Sequence, residues 1–528
     1  MKQIILLLSI FAISCSSANQ AQELVPIIPY PNNMEVEKGN LILNGEVKLS
    51  VNSETLLPLV ENFKSNVVEI IALTNGSNKD AKIKIELTPN AGNDESYFLE
   101  TSKSGVLIKA GTEKGVYYGL QTLKQLMLFS NSKSGKMVLP ILTINDEPRF
   151  GWRGVMLDES RSFFGMEKVK QLLELMSLHK LNVFHWHLTD DPGWRIEIKK
   201  YPNLTTIGGL GNELNPDAPA QFYTQCEIKE IVEFAAERYI EIIPEIDMPG
   251  HARAANRAYP EYSGGGSKSH PEFTFNPGKE ETYSYLTDIL REITTLFPSK
   301  YIHMGGDEVH FGNEKWNTDT NVKQLMKRVK LDDLKAVENY FVHRMADSIK
   351  SLNKTVVGWD EIVDLQLDPD NSLVMWWRHD KTNKLQATLD NGYNVVLCPR
   401  IPFYFDFDQD KSHQYGRKWG DAYSPLEMAY AFPPDTLQGM AENLNLIKGL
   451  QANIWTERID DLKRLDFMTH PRLSALAEAA WTNKENKNYE VFKQRLKPML
   501  SYFDDLNIFY YNPFEPELTP EPSSEYKK

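Results

Sequence analysis

Downstream of about residue 150, short apolar runs alternate with longer stretches in which apolar residues recur every three or four positions. The short runs predict buried strands, and the longer stretches predict amphipathic helices. Eight strands are predicted, at 154–157, 183–188, 241–246, 301–304, 355–359, 373–377, 394–397 and 449–454. Helices are predicted between most of them, at 167–179, 228–238, 280–297, 334–352, 381–391 and 439–446, and another at 462–481 after the last strand.

Repeated strand–helix units of this kind are typical of a (β/α)8 barrel, whose active site lies at the C-terminal ends of its strands. An open, doubly wound sheet is the alternative. Such sheets often bind phosphates through a glycine-rich loop, and no such loop occurs in this chain. We therefore predict an α/β fold in which residues 148–510 form a catalytic (β/α)8 TIM barrel.

The chain before the barrel has a different pattern. Shorter alternating runs predict strands at 41–51, 81–87, 96–100 and 106–110, and two amphipathic patterns predict helices at 54–73 and 115–129. Residues 23–147 are therefore expected to form a small α+β domain, and no motif in it suggests catalysis. Residues 511–528, which follow the barrel, are rich in Pro, Glu and Ser and are expected to be a disordered tail.

Residues 1–22 have the features of an export signal followed by a polar tether. The apolar run from Ile4 to Ile13 is too short to cross a bilayer as a helix. It leads to Cys15 in a sequence that resembles the lipobox of bacterial lipoproteins, with Ala12 where leucine is commoner. We expect an exported lipoprotein attached to a membrane through Cys15; cleavage without lipidation is the alternative.

Composition and charge narrow the possible partners. The formal net charge of −14 opposes binding to nucleic acid or to an anionic membrane surface. Ten tryptophans and 23 tyrosines offer flat faces on which sugar rings can stack, although most aromatic residues belong to cores. Besides Cys15, only Cys226 and Cys398 occur, far apart and not in a metal-like spacing, so at most one isolated disulfide is open to them.

The most informative stretch runs from Tyr301 to His310, where an apolar segment ends in two glycines and two adjacent carboxylates, Asp307 and Glu308. The glycines suggest a place where the backbone approaches another group closely. Adjacent carboxylates repel when both are ionised, so one pKa tends to rise and that group can act as an acid near neutral pH. In a chain rich in aromatic residues the pair suggests sugar chemistry; for the dipeptide alone, an ordinary surface pair is the alternative.

Each of the eight predicted strands ends in aromatic or polar residues. These are Asp158 and Arg161, His185 to Asp191, Glu245 to His251, Asp307 and Glu308, Trp359 to Glu361, Trp376 to Arg378, Tyr404 to Asp406, and Trp455 to Glu457. Core packing does not readily explain such residues at all eight ends. They are therefore the expected constituents of one active site.

These motifs make the chain similar to the family 20 glycoside hydrolases, the β-N-acetylhexosaminidases. The similarity covers about residues 25–505 and rests on the runs His303–Glu308, Asn182–Leu188 and Asp158–Arg161. It implies a small α+β domain before a catalytic barrel. It also implies an exo-acting, retaining enzyme that removes terminal GlcNAc or GalNAc from glycans, with no cofactor and no metal.

The resemblance further implies roles for individual residues. Glu308 would be the general acid and later the base, Asp307 would orient the 2-acetamido group whose oxygen is the nucleophile, and Tyr404 would hydrogen-bond that oxygen. The other implied roles are ring-hydroxyl binding by Arg161, Asp406 and Glu457, walls formed by Trp359, Trp377, Trp455 and Trp419, and support of Glu308 by Asp190 and His251. A rim ion pair for the arginine and core packing for the tryptophans are the plainer alternatives.

Two other functions remain open at this point. His185 and His187 face the same side of a predicted strand, and with His251 and Asp307 they could bind zinc in a metallohydrolase. The rest of such a ligand set is not evident in the sequence. A catalytically inactive sugar-binding lipoprotein is the second alternative, which a turnover assay would distinguish. The pattern favours neither of the two N-acetylhexosamines and no particular oligomeric state.

Overall fold

The computed structural model describes residues 24–89, 92–130, 136–434, 437, 439 and 442–526. The expected export signal and Cys15 lie outside these residues. None of the helices in the described ranges has the length and apolar character needed to cross a membrane. Cys226 is exposed and Cys398 is buried, and both are free thiols.

The N-terminal domain is one mixed sheet with two helices. Its strands are β1 (Asn33–Asn44), β2 (Val47–Val51), β3 (Leu73–Asn75), β4 (Ile83–Leu87), β5 (Tyr97–Ser102), β6 (Gly105–Ala110) and β7 (Lys136–Asp146), and its helices are α1 (Leu57–Asn66) and α2 (Glu113–Leu128). The strands are ordered β1-β7-β5-β6-β4-β2-β3, and α2 packs on β4, β5 and β6. The domain has its own apolar core, as the alternating pattern predicts.

The second domain contains a closed barrel of eight parallel strands in the order β10-β13-β14-β15-β16-β17-β8-β9. The strands from β8 onward are β8 (Trp152–Asp158), β9 (Val183–His187), β10 (Glu241–Glu245), β11 (Ser263–Gly265), β12 (Thr274–Phe275), β13 (Tyr301–His303), β14 (Thr355–Trp359), β15 (Ser372–Trp376), β16 (Asn394–Leu397) and β17 (Ile447–Ile454); β11 and β12 form a separate hairpin. The predicted (β/α)8 fold class is confirmed.

Helices surround the barrel. They are α3 (Met166–Leu178), α4 (Asn203–Thr206), α5 (Gln225–Ala236), α6 (Arg253–Ala258), α7 (Glu280–Leu296), α8 (Thr320–Val329), α9 (Leu334–Ser351), α10 (Thr382–Asp390), α11 (Arg400–Phe403), α12 (Leu426–Ala431), α13 (Leu462–Thr469), α14 (Arg472–Trp481) and α15 (Tyr489–Asp505). Successive strand residues point to opposite faces. Along β15, Leu373 and Met375 belong to an apolar cluster inside the barrel. Val374 and Trp376 belong to the larger core between the strands and the surrounding helices.

A buried ion pair joins the two domains. Arg153 on β8 is fully buried and donates to Glu95, just before β5, at 2.8 Å. It also donates to the hydroxyl of Tyr118 on α2 at 2.9 Å. Glu95 also pairs with Lys114 on α2 at 2.6 Å, so removal of Glu95 would leave the buried Arg153 charge uncompensated, whereas removal of Arg153 would leave Glu95 with Lys114.

Several predicted elements differ from the structure for local reasons. The predicted strand 41–51 is two strands, because Gly45 turns the chain with φ of 61°. The predicted helix 462–481 is two helices that break before Pro471, which has no N–H to donate. In 439–446 the described residues form turns, not a helix. Strand β7 was missed because Pro140 suggested a boundary; this proline pairs with Asn40, next to an irregularity in β1.

In the described part of the segment expected to be a disordered tail, Glu521 and Pro522 contact the barrel domain. Glu521 accepts hydrogen bonds from the backbone N–H groups of Gln414 and Tyr415, at 2.6 and 3.0 Å. Arg464 donates to the Pro522 carbonyl at 2.7 Å. Composition suggested disorder, but specific polar contacts with a barrel loop hold this segment in place.

Candidate active site

Asp307 and Glu308 follow β13 through a turn made by Gly305 and Gly306. The two glycines have φ values of 70° and 91°, which residues with a Cβ rarely adopt. A Cβ at position 305 would also lie 1.8 Å from a carboxylate oxygen of Asp247. The close backbone approach predicted from the two glycines is therefore confirmed. The turn presents two consecutive carboxylates at the C-terminal end of a barrel strand.

His251 lies between this pair and a buried aspartate. Its Nε2 lies 3.7 Å from an oxygen of Asp307 and 3.6 Å from an oxygen of Glu308. Its Nδ1 lies 3.0 Å from Asp190, whose other oxygen lies 2.7 Å from Arg161. Burial alone would lower the pKa of His251, but nearby carboxylates, chiefly that of Asp190, raise this pKa well above its ordinary value. A positively charged imidazolium therefore faces both carboxylates.

The two carboxylates differ in pKa. Burial, together with the charge of Glu308, raises the pKa of Asp307 to about 7 against the opposing effect of His251. For Glu308 the effect of burial is outweighed by the His251 imidazolium, which holds the pKa below its ordinary value. Of the two carboxyls, Asp307 is therefore the one whose pKa is raised. Asp307 therefore keeps a proton to a higher pH than Glu308 does.

Aromatic residues form the wall beside the pair. Trp377 and Tyr404 are stacked, with ring centroids 6.2 Å apart and planes 10° apart, and Trp455 lies 6.1 Å from Tyr404. Burial raises the pKa of Tyr404 well above its ordinary value, so its hydroxyl stays protonated and can donate. Trp359 lies 5.8 Å behind Trp455 and donates its indole N–H to the buried carboxylate of Glu245 at 3.0 Å.

Trp419 lies at the rim of the site with 44% of its surface exposed. The guanidinium carbon of Arg400 lies 3.8 Å from the centroid of the Trp419 ring and 4.9 Å from that of Trp377. Such distances are those of cation–π contacts. Arg400 therefore connects the exposed tryptophan to the inner aromatic wall.

Another part of the pocket is lined by charged residues. Arg161 lies over the ring of Trp455, 5.2 Å from its centroid. Arg417 donates to Asp406 at 2.6 Å and to Glu457 at 2.7 Å. Burial raises the pKa of Asp406 to about 6, whereas for Glu457 the charge of Arg417 overcomes burial and lowers the pKa.

His185 and His187 belong to a buried network. His185 Nε2 and His187 Nδ1 lie 3.0 and 2.5 Å from the same oxygen of Glu245. Their other ring nitrogens contact Gln451 at 3.0 Å and Asp190 at 2.9 Å. Among the described residues, His185 lies in a possible ligand group with Glu245 and His303, and neither His185 nor His187 shares one with His251 and Asp307, so the ligand set expected for the metallohydrolase is not brought together.

Most of the residues predicted for the site lie together. One pocket is lined by Arg161, His251, Asp307, Glu308, Trp377, Tyr404, Trp419, Trp455 and Glu457. The predicted residues Asp190, Trp359 and Asp406 do not line the pocket themselves. They contact His251, Trp455 and Arg417, respectively, which do.

The same pocket is lined by two arginines that the sequence analysis missed, Arg400 and Arg417. Arg400 follows the same strand as Tyr404, and Arg417 precedes Trp419 by two residues, so both lay beside residues already selected. Asp247, which contacts the Gly305 turn, was included in the polar end of the third predicted strand, but the sequence analysis assigned it no role.

Comparison with known proteins gives concordant matches. The family model described as "Glycosyl hydrolase family 20, catalytic domain" matches residues 150–484, and "Glycosyl hydrolase family 20, domain 2" matches residues 24–147. A beta-hexosaminidase of Porphyromonas gingivalis is 32% identical over 515 residues, which are 93% of this chain and 64% of that protein. The chain therefore spans less than two thirds of that relative's length.

Two further relatives are covered more fully. A beta-hexosaminidase of Vibrio furnissii is 32% identical over 87% of this chain and 77% of its own length. A solved structure of a GH20 exo beta-N-acetylglucosaminidase from Vibrio harveyi, in complex with N-acetylglucosamine, has a TM-score of 0.85 and 31% identity. That match covers 93% of this chain and 79% of the Vibrio harveyi chain.

Proposed function

Because the chain belongs to glycosyl hydrolase family 20, we propose that it is a β-N-acetylhexosaminidase acting on terminal, non-reducing GlcNAc or GalNAc of glycans. We further propose that it acts from the chain end, with retention of configuration and with the substrate's own 2-acetamido oxygen as the nucleophile. The observation that carries the proposal is the Asp307–Glu308 pair beside the aromatic wall of Trp377, Tyr404 and Trp455.

Glu308 suits the role of acid and base. It lines the pocket and lies next to His251, and its side chain is 34% exposed, whereas that of Asp307 is 13% exposed. The more accessible carboxyl can reach both a leaving-group oxygen and an incoming water molecule. In this proposal Glu308 protonates the glycosidic oxygen and later removes a proton from water.

Asp307 and Tyr404 suit the acetamido group. The Asp307 carboxylate would accept the amide N–H, and the Tyr404 hydroxyl would donate to the amide oxygen as it attacks the anomeric carbon. A hydrogen bond to a charged carboxylate lowers its pKa. Substrate binding would therefore favour ionised Asp307 and move the pair's proton to Glu308, where the leaving group needs it.

The charged side of the pocket suits the ring hydroxyls. Arg161, Asp406 and Glu457 offer a guanidinium and two carboxylates to a group of hydroxyls. A pocket that binds several hydroxyls of one ring and carries an aromatic wall favours one terminal sugar. The exposed Trp419 would then lie where the rest of the glycan leaves the pocket.

Membrane attachment is a separate part of the proposal. Cys15 lies directly behind a short apolar segment, which supports an exported, lipid-anchored protein. A Cys15→Ser variant should appear in the soluble fraction with its activity retained, while the unchanged protein stays with membranes. Recovery of the unchanged protein in the soluble fraction would contradict the anchor without affecting the proposed catalysis.

The activity is tested directly with chromogenic glycosides. We expect turnover of 4-nitrophenyl β-N-acetylglucosaminide, β-N-acetylgalactosaminide, or both. The matching β-glucoside, which has a hydroxyl in place of the acetamido group, should not be hydrolysed because it lacks the nucleophile. Equal hydrolysis of the glucoside would contradict the proposed mechanism. Absence of turnover of both N-acetyl substrates by the folded protein would favour an inactive sugar-binding protein.

A further inference from the structure

An arginine joins the two carboxylates on the hydroxyl side of the pocket. Arg417 donates from Nε to Oδ2 of Asp406 and from a terminal nitrogen to Oε1 of Glu457. The remaining oxygens, Asp406 Oδ1 and Glu457 Oε2, are buried and have no hydrogen-bond partner among the described residues. Buried acceptors without partners are costly, so these two oxygens are candidate acceptors for hydroxyl groups of a ligand.

Arg417 therefore determines which oxygens the ligand meets. The planar guanidinium holds one oxygen of each carboxylate and leaves the other free for a hydroxyl group. Without Arg417, Asp406 and Glu457 would repel each other and could adopt other rotamers. Arg417 is thus a positioning residue for the two side chains proposed to bind ring hydroxyls.

The loop that carries Arg417 is held by backbone and side-chain contacts close to that residue. The backbone N–H of Arg417 donates to the Asp406 carbonyl at 2.7 Å, and that of Gly416 donates to Asp408 at 2.8 Å. Arg458 donates to the Gly416 carbonyl at 2.8 Å. The preceding residues, Gln414 and Tyr415, form no regular secondary structure.

The C-terminal segment adds two hydrogen bonds to the residues just before Gly416. Both oxygens of Glu521 accept backbone N–H groups of this loop, at 2.6 Å from Gln414 and 3.0 Å from Tyr415. Arg464, which is fully buried, lies 3.3 Å from the same carboxylate and so holds Glu521 from the barrel side. Hydrogen bonds from backbone N–H groups to a carboxylate are stronger than those between neutral groups.

We propose that Glu521 is a positioning residue for the active site, which holds residues 414–417 so that Arg417 can orient Asp406 and Glu457. The inference rests on the proposed function, because that function assigns ring hydroxyls to the two carboxylates. It adds a residue that lies outside both family matches, which cover residues 24–147 and 150–484.

The surrounding charges agree with a structural contact. Asp408, His413 and Glu521 lie close enough to share a cation. Two basic side chains already pair with these carboxylates: Lys418 lies 3.2 Å from Asp408, and Arg464 lies 3.3 Å from Glu521. These pairs balance the carboxylates and leave Glu521 to hold the loop.

A double-mutant cycle tests the proposal. Glu521→Gln removes the charge that binds the loop, Arg417→Met removes the guanidinium, and both changes are then combined. On a chromogenic N-acetylhexosaminide we expect kcat/KM to fall about 10-fold for Glu521→Gln and about 100-fold for Arg417→Met, mainly through a higher KM. If Glu521 acts through Arg417, the double variant should be no worse than Arg417→Met alone.

Two further variants distinguish an effect of Glu521 on loop position from an effect on the stability of the protein. Glu517→Gln makes the same charge change at an exposed residue of the same segment and should leave kcat/KM and Tm unchanged. If Glu521→Gln lowers Tm strongly because Arg464 loses its partner, Glu521→Asp serves instead. It keeps the charge but is too short to reach both N–H groups. Losses that multiply in the double variant, or a Glu521 variant that behaves like Glu517→Gln, would overturn the proposal.

Hydrogen exchange gives a readout that does not depend on turnover. Glu521→Gln should speed amide exchange at Gln414 and Tyr415, while Arg417→Met should leave the Gln414 amide protected. Unchanged exchange in Glu521→Gln would overturn the proposal whether or not the wild-type protein hydrolyses the substrate. Faster exchange in a protein without turnover would contradict the proposed function alone.

Discussion

Gly305 and Asp247 approach each other so closely that a Cβ on residue 305 would lie 1.8 Å from the carboxylate of Asp247. The contact lies directly before Asp307, whose pKa is raised by burial in the same region. Burial and the charge of Asp307 also raise the pKa of Asp247 well above its ordinary value. The glycine turn therefore permits a crowded group of carboxyls that no other residue at position 305 would allow.

Gly305→Ala should reduce activity strongly. The added methyl group must displace Asp247 or the turn itself, and a shift of the reacting groups by about 1 Å can cost on the order of 100-fold in rate. The measurement is kcat on a chromogenic N-acetylhexosaminide, with Tm recorded alongside. Gly392→Ala is the matched control, because Gly392 also has a positive φ, of 76°, but has open space around it. The control should lose stability by about 1 to 2 kcal/mol and keep its activity; equal activity losses would contradict the steric account.

The pH dependence of kcat/KM should show when the Asp307–Glu308 pair loses its proton. The raised pKa of Asp307 means that the free pair keeps its proton below about pH 7 and loses it above that pH. Because Glu308 needs this proton as the acid, kcat/KM should fall as pH rises through about 7. In Asp307→Asn the proton would have to reside on Glu308, whose pKa His251 lowers, so the fall should begin at lower pH. A basic limb that stays in place in Asp307→Asn would contradict this assignment.

Chelation should not affect activity. His251, Asp307 and Glu308 lie close enough together to hold a metal ion, yet their proposed roles require free carboxylate oxygens and a charged imidazole. We therefore expect unchanged kcat and KM after prolonged treatment with a strong chelator and removal of the chelated metal. Loss of activity on chelation, followed by its recovery when zinc is added, would favour the metallohydrolase alternative.

The first product should be a single sugar in the β configuration. A pocket that encloses one ring favours release from the non-reducing end, and attack by the acetamido oxygen followed by water inverts the anomeric centre twice. Proton NMR of the reaction within its first minutes distinguishes the β-anomer from the α-anomer. Internal oligosaccharides as first products would contradict the pocket, and the α-anomer would contradict the two-step mechanism.

Local sequence signals were sufficient for the barrel and much of its site. Apolar runs such as 355–359 and 394–397 correspond to β14 and β16 residue for residue, because buried parallel strands need continuous apolar sequence. Asp307 and Glu457 come shortly after β13 and β17, so the strands place them at one end of the barrel, whereas Tyr404 is separated from β16 by α11.

The missed features depend on contacts between distant segments. The position of Arg417 is set by the path of a loop and by its bonds to Asp406 and Glu457, 11 and 40 residues away in sequence. Glu521 meets that loop across more than 100 residues, at separations of 107 and 106. Composition alone suggested disorder there, since no periodic pattern reveals two hydrogen bonds to a remote backbone.

The central claim is that Glu308 acts on the leaving group and Asp307 on the nucleophile. It is tested most directly by measuring Glu308→Gln and Asp307→Asn on two N-acetylglucosaminides, one with an easily departing phenolate and one with an alkoxide that needs protonation. For bond cleavage, Glu308→Gln should slow the alkoxide substrate far more than the phenolate substrate. Asp307→Asn should slow both by a similar factor, on the order of 10² to 10³, because acetamido attack is needed in either case. Equal losses in Glu308→Gln, a leaving-group dependence confined to Asp307→Asn, or a sugar trapped covalently on Asp307 would contradict the account.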